Sequence, residues 1–493
     1  MQTNSSNDQT ALRDLCLSLQ YTPVRIESIS EGGSGRRYYR ITLNTDATII
    51  GTCGDNICEN KAFIYLSRHI REKGLPVPDI LGISRDFKTY LQTDVGCVNL
   101  YELIKAGREN GDWNGQIMSL LHKTVSELPS IQFLTAQGLD VSRCLPPISM
   151  DARALMRDLN YFKYCFLKPL DISLDEDRLD NCFETLIGMT SIGDSSVPRA
   201  FILRDCQSRN VMFDEEMNLH WIDYQHGRLG PVTYDLASLL WQTRAAIPAA
   251  VRDELIAEYF REMLRFAPGT SEAAFRRSLR FMVICRLLQV LGAYGLRGII
   301  EGKVPFLKPI PLTLQRLEEM LRAEETPSLE YLLHVIGKAM NHPWCGTHEL
   351  GNSGLFLDVC SFSYKRGMPR YRSEHGGGFV FDCRAPHNPG RYAEYRHLTG
   401  RDPEVITFLM NDGEMPALVD RAYDLVSKAV KRYLERGFDS LSVAFGCTGG
   451  RHRSVFGAEQ LAKRINREFN IPVSVNHTNL GISYILSPEN NGI

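Results

Sequence analysis

One short region constrains this 493-residue chain more than any other. In "ILRDCQSRNVMFD", Asp205 follows an apolar, strand-like run and stands five residues before Asn210. Asp223 follows thirteen residues later in "LHWIDYQHG", after the apolar Trp221 and Ile222. The whole stretch from "RAFILRDC" to "LHWIDYQHG" reads as a short β-rich insert between helical regions. Phosphoryl transfer needs such a set: a carboxylate to orient and deprotonate the acceptor hydroxyl, and oxygen ligands to hold Mg2+ on nucleotide phosphates. Asp205 fits the first role, and Asn210 and Asp223 the second. An isolated D-x4-N is ordinary loop chemistry, since Asp and Asn are common caps and turn residues. The third carboxylate at this spacing lifts the pattern above that reading.

The length exceeds one ordinary core, so two or three domains are expected. Hydrophobic residues at 43% and charged residues at 23% indicate a globular chain. A net charge of -2 exerts no global pull toward nucleic acid or membrane. The first residues, "MQTNSSNDQT", contain no apolar secretory core. The thirteen cysteines show no framework spacing, so reduced thiols and a cytoplasmic location are expected. No C-x-x-C or H-E-x-x-H occurs, which argues against structural zinc. The most apolar window, Phe281 to Leu296, is interrupted by Arg286 and Gln289. No window is expected to reach bilayer length, and no membrane partner is expected.

Residues 1–20 read as an N-terminal arm with a short helix. "RRYYRITL" (Arg37, Tyr39 and Ile41 on one side), "DATIIGT", "LPVPDILGIS" and "KTYLQTDVG" read as strands. "ENKAFIYLSRHIREKG" reads as a helix with Phe63, Leu66 and Ile70 on one face and Gly74 as its stop. A five-strand lobe thus covers about 21–98 and a mainly helical lobe about 99–323. A linker spans 324–350. From 351 to 485, "LFLDVCSFSY", "GGFVFDCRA" and "LSVAFGCT" alternate with helices, which implies a small α/β domain with a mostly parallel sheet. Residues 486–493 form a tail.

Residues from about Tyr21 to Arg322 resemble the aminoglycoside-phosphotransferase-like family, and within it the anomeric kinases of N-acetylmuramate and N-acetylglucosamine. The segments that carry this are "GRRYYRI", "ENKAF", "GLPVPDIL", "RDCQSRNVM", "IDYQHGRLGPVTYDLASLL" and "RLLQVLGAY". The resemblance implies an α+β protein-kinase-like bilobal fold, ATP and Mg2+ as cofactors, and a sugar or amino sugar as substrate. It makes Asp205 the catalytic base and Asn210 and Asp223 the metal ligands, with Arg204 and Asp235 supporting the catalytic loop. The stretch "SEGGSGRRYYR" sits where such folds cover the ATP phosphates. Gly32, Gly33 and Gly35 suit backbone contacts to an anion, and Ser34 a side-chain contact. A Gly-rich hairpin turn would look the same. Two departures stand out. Leu203 replaces the histidine usual before Arg-Asp, and "DATIIGTCG" carries no lysine for the phosphates. Arg36, Arg37 and Lys61 are the candidate substitutes, and a pseudokinase is the competing reading.

A second constellation is "GCTGGRHRS". Cys447 and Arg453 have the Cys-x5-Arg spacing of a phosphatase loop, between a buried-type strand and an amphipathic helix. Backbone N–H groups and the helix dipole make that junction an anion site. Thr448, Gly449 and Gly450 permit close approach, Arg453 suits a bidentate grip on phosphate, and Ser454 suits a cap or an anion contact. Phosphatase chemistry would also need an acid, for which Asp382 and Asp412 are unmarked candidates. Residues from about Phe356 to Asn479 resemble the RapZ C-terminal domain family through "SFSYKRGMP", "FVFDCRAPHNPGRY", "LTGRD" and "VAFGCTGGRHRSVFGAEQLA". That implies a sugar phosphate, glucosamine-6-phosphate, held by Asp382, Cys447, Thr448, Gly449 and Arg453, with Arg384 and Asn388 beside them. The family's Asn-Pro-His reads Asn388-Pro389-Gly390 here. Some members also bind RNA and an RNase, but "HTNLGISYILSPENNGI" has no Lys or Arg, so RNA is a weak expectation. The combined expectation is a sugar kinase fused to a sugar-phosphate-binding domain, with homo-oligomerisation compatible. A non-catalytic sensor and a bifunctional kinase and phosphatase are the alternatives.

Overall fold

The computed structural model describes residues 2–29, 35–109, 115–193, 195–301, 303–323, 327–342, 345, 355–368, 378–438 and 440–486. The chain divides into two compact units, Met1–Asn160 with Asp175–Gln289 and Glu324–Tyr331, and Tyr161–Leu174 with Val290–Ala323 and Leu332–Ile493.

The chain opens with α1 (Gln2–Ser18), β1 (Pro23–Ser28), β2 (Arg37–Leu43), β3 (Thr48–Cys53), α2 (Ile57–Glu72), β4 (Ile80–Ile83) and β5 (Thr89–Thr93). Among the described residues these strands form one antiparallel sheet in the order β1-β2-β3-β5-β4. Period-two alternation puts Tyr39, Ile41 and Leu43 of β2 on one face, where they are buried with Leu12 and Cys16 of α1. Gly51 permits that approach, because a Cβ there would lie 2.4 Å from Leu12 Cδ2. Two asparagines fix the start of α2. Asn56 caps it by accepting from the Glu59 N–H at 3.2 Å. Asn60 donates to the carbonyls of Gly54 and Phe87, each at 2.8 Å. Phe63, Leu66 and Ile70 form the buried face, and Gly74, at φ 74°, follows the end of the helix.

The mainly helical region comprises β6 (Val98–Asn99), α3 (Leu100–Glu109), α4 (Gln116–Ala136), α5 (Ala152–Phe162), α6 (Glu176–Met189), β7 (Arg199–Ile202), β8 (Val211–Phe213), β9 (Leu219–Trp221), β10 (Arg228–Pro231), α7 (Thr233–Leu240), α8 (Ala249–Met263) and α9 (Glu272–Tyr294). β7 pairs with β10, and β8 with β6 and β9, all antiparallel. One expectation needs correction. The helical run Glu272–Ile300 is long and apolar enough to cross a membrane by length and composition. More than half of its most apolar stretch is buried in the protein, as in the core helix of a globular protein. Arg286 is buried midway along it, its guanidinium donating to the Tyr234 hydroxyl at 2.7 Å.

Next come α10 (Ile310–Ala323) and α11 (Glu330–Met340). α11 lies in the stretch read as a linker, yet it buries Leu332, Val335, Ile336 and Ala339. The remaining elements are β11 (Phe356–Ser363), β12 (Gly378–Asp382), α12 (Pro403–Asp412), α13 (Glu414–Glu435), β13 (Ser440–Cys447), α14 (Arg453–Phe469), β14 (Val473–His477) and β15 (Ile482–Leu486). The strand order is β12-β13-β11-β14-β15, parallel except for the β14–β15 pair. β13 is buried along its whole length, as a strand covered on both faces must be. Val443 and Phe445 share a core with Val426 of α13 and with Phe456 and Leu461 of α14.

Candidate active site

The loop after β7 is held from beneath. At Arg204 the backbone takes φ 71°, a left-handed conformation that non-glycine residues rarely adopt. Asp235, in the first turn of α7, accepts from the N–H groups of Leu203 at 2.7 Å and Arg204 at 3.1 Å. It also accepts from the Gln132 amide at 3.1 Å, and Gln132 in turn accepts from the Tyr259 hydroxyl at 2.6 Å. Burial pushes the Asp235 carboxyl up to about 6 against these hydrogen bonds. The Arg204 guanidinium forks onto both oxygens of Asp158 at 2.7 Å and also meets the Tyr234 hydroxyl. Leu203, where a histidine was to be expected, is a buried apolar residue under this loop.

Asp205, Asn210 and Asp223 come together above that brace. The Asn210 amide donates to the Asp205 carbonyl at 2.9 Å and to Asp223 Oδ2 at 3.4 Å. The Gln207 amide donates to the Asp205 carboxylate. Burial, and then the negative charge of Asp223, raise the Asp205 pKa. Asp223 itself sits at φ 63°. Its Oδ1 accepts from Gln225 Nε2 at 2.9 Å and from the Arg36 guanidinium at 3.0 Å. The set offers carboxylate and amide oxygens with no sulfur or imidazole, which suits a hard cation such as Mg2+ shared with phosphates. No cluster of three His, Cys, Asp or Glu side chains that could hold a metal occurs among the described residues.

Of the three cations weighed as lysine substitutes, one reaches this cluster. Arg37 pairs with Asp8 and Asp55, and the Lys61 ammonium lies 4.7 Å over the Phe87 ring. Arg36 is 2% exposed and lies between Glu59 of α2, 3.3 Å from its Nε, and Asp223. Sequence spacing could not single it out, because its partners lie 23 and 187 residues away in the chain. Asp158 was missed for the same reason. Gly32, Gly33 and Ser34 lie outside the described residues. Gly35 is described, and a Cβ there would meet nothing within 4 Å.

In the second unit, the carboxyl ends of β11, β12 and β13 lie on one edge of the sheet. Cys447 ends β13, and its Sγ lies 3.2 Å from the Gly450 N–H and 3.1 Å from Ser454 Oγ. The Ser363 hydroxyl, at the end of β11, donates to the Thr448 carbonyl at 2.7 Å. A Cβ on Gly449 would meet nothing within 4 Å, whereas Gly450 has φ 65°. Asp382 ends β12 and pairs with Arg384, whose guanidinium lies 4.0 Å from the Tyr364 ring centroid. Arg453, expected to grip an anion, uses its Nη1 to join two loops, while its buried Nε has no hydrogen-bond partner among the described residues. Its guanidinium is buried and donates to the carbonyls of Arg384 at 2.8 Å and Pro386 at 2.5 Å, tying this loop to the one after β12. Asn388 accepts from the Gly390 N–H at 3.2 Å. His387 is engaged with Asp412 and the Tyr392 hydroxyl, each at 3.1 Å.

Comparison with known proteins finds two family matches along the chain. Residues 25–270 match the phosphotransferase enzyme family model, and residues 355–481 match the RapZ C-terminal domain model. A nucleotide-binding protein of Ruegeria sp. (strain TM1040) is 44% identical over 126 residues, which is 26% of this chain and 40% of that protein. This chain therefore spans well under two thirds of that relative's length. A nucleotide-binding protein of Acidobacterium capsulatum is 28% identical over 296 residues, 57% of this chain and 86% of that one. Among solved structures, the amicoumacin kinase hAmiN in complex with AMP-PNP, Ca2+ and Ami matches at TM-score 0.46 and 13% identity over 66% of this chain and 97% of that one. A choline/ethanolamine kinase family protein from Mesorhizobium loti matches at TM-score 0.44 and 14% identity over 68% and 99%. The chain thus carries a segment similar to the phosphotransferase enzyme family over residues 25–270 and one similar to the RapZ C-terminal domain over residues 355–481.

Proposed function

We propose that this protein is an ATP- and Mg2+-dependent kinase of a sugar or amino-sugar hydroxyl, whose RapZ-type domain binds a sugar phosphate as effector or product. The observation that supports it most is the gathering of Asp205, Asn210 and Asp223 on a loop braced by Asp235. Asp205 takes the proton of the acceptor hydroxyl, and its raised pKa makes it a stronger base than an exposed carboxylate. Asn210 and Asp223 would hold the metal, which neutralises phosphate charge when bound. Asp235 and the Arg204–Asp158 pair keep Asp205 oriented.

The loop between β13 and α14 suits a phosphate through Thr448, Gly449 and Gly450 at the start of a 17-residue helix. The convergence of Ser454 and Gly450 on Cys447 favours a cysteine-phosphatase reading. The acid candidates speak against it, Asp382 being paired with Arg384 and Asp412 with His387, so we assign Cys447 a lining role. The kinase reading is tested by incubating free hexoses and amino sugars with ATP and Mg2+ and weighing the products. A phosphorylated sugar is expected, and its absence across the panel would sink the proposal.

A further inference from the structure

We infer that Arg36 is the nucleotide-phosphate ligand that replaces the missing strand lysine, and that without nucleotide it is held on Asp223, where its charge competes with a metal for that carboxylate. This rests on the kinase reading above.

The argument begins with the strand. β3 reads "TIIGTC" and offers no cation to the cleft. Arg36 stands immediately before β2 and points into the same region, between Glu59 and Asp223. Its surroundings are apolar on two sides, with the Tyr38 and Phe63 rings 5.6 and 5.5 Å from the guanidinium carbon. Burial opposes its charge, but Tyr90, Tyr38 and Asp223 outweigh that and keep it firmly protonated.

Its hydrogen bonding is incomplete despite that burial. Arg36 Nε and Glu59 Oε1 are within ion-pair range, yet neither has a hydrogen-bond partner among the described residues. The contact to the Tyr90 hydroxyl is long at 3.3 Å. The one well-formed bond, at 3.0 Å, goes to Asp223 Oδ1. Among the described residues, this buried guanidinium thus has fewer well-formed acceptors than donors, and phosphate oxygens are acceptors its planar fork fits well.

The same bond creates a conflict. A divalent cation on Asp223 and a guanidinium at 3.0 Å from Oδ1 would repel each other. Asp223 keeps Gln225 and Asn210 as neutral donors once Arg36 leaves, so its carboxylate stays oriented. With nucleotide and metal bound, Arg36 would exchange Asp223 for phosphate oxygens, and Asp223 would be left to the metal.

The test uses the full chain and calorimetric titration with two probes, ADP in the presence of Mg2+, and Mn2+ alone. Arg36→Ala is expected to weaken ADP binding roughly ten- to a hundredfold, the weight of a charge-assisted contact. The same substitution is expected to tighten Mn2+ binding in the absence of nucleotide. Arg36→Lys, which keeps the charge but loses the fork, is expected to fall between, and it carries the test should Arg36→Ala fail to fold. Unchanged ADP affinity in a folded variant overturns the inference, as does Mn2+ binding that weakens or stays constant. A wild-type protein that binds no ADP at all instead overturns the kinase reading on which the inference rests.

Discussion

Asp205 owes its proposed strength as a base to its neighbours. Burial and the Asp223 charge both disfavour its ionised form. The group must be deprotonated to accept a proton, so kcat/KM is expected to fall as pH drops through its raised pKa. The acid limb should lie above the ordinary aspartate value of about 3.9. A profile flat down to about pH 4 would contradict this. Asp235 makes a different contribution. Asp235→Ala would leave the N–H groups of Leu203 and Arg204 without acceptors, at about 1–3 kcal/mol for each buried donor, and would release the left-handed turn at Arg204. A clear fall in Tm together with a lower kcat is expected. An unchanged Tm would mean the brace is not needed. Asp205, Asn210 and Asp223 were legible because local spacing and apolar flanks mark them. Arg36 and Asp158 were not, because their meaning depends on partners that only the fold brings near.

Elements were read best where periodicity is long. The α2 face of Phe63, Leu66 and Ile70 and the buried run of β13 follow directly from their sequences. β14 and β15 carry no strand reading in the sequence, although they are as long as β5 and β12, which do. They carry a network of consequence for the second unit. Glu459 of α14 accepts from His477 of β14 at 3.1 Å, and His477 meets the Ser361 hydroxyl of β11 at 2.8 Å. Burial opposes the Glu459 charge, but His477, Tyr484 and Lys463 outweigh it and hold the pKa at about 2. A depressed carboxylate stabilises the fold above its unfolded pKa and loses that contribution as pH falls through the folded one. Glu459→Gln should therefore cost on the order of 2 kcal/mol at neutral pH, with the deficit vanishing between about pH 4.5 and 2. Chemical denaturation of both proteins across that range checks it, and a pH-independent difference would contradict it.

For the molecule as a whole, a match to the phosphotransferase enzyme family and a match to the RapZ C-terminal domain share one chain. A kinase that makes a sugar phosphate, beside a domain of the RapZ type that takes one, is an economical reading of that pairing. Its architecture was visible in the sequence because the two halves differ in pattern: strands followed by helices, then strands alternating with helices. What sequence left open is the acceptor, since hydroxyl recognition depends on the shape of a site built from distant segments. The central claim is that Asp205 drives phosphoryl transfer to a sugar. The most direct test is the mass of products formed from an amino-sugar panel, ATP and Mg2+ by the wild-type protein and by Asp205→Asn. The account predicts a sugar phosphate from the wild type, formed roughly 10²–10⁴-fold more slowly by a folded variant. Equal rates from the two proteins would contradict it.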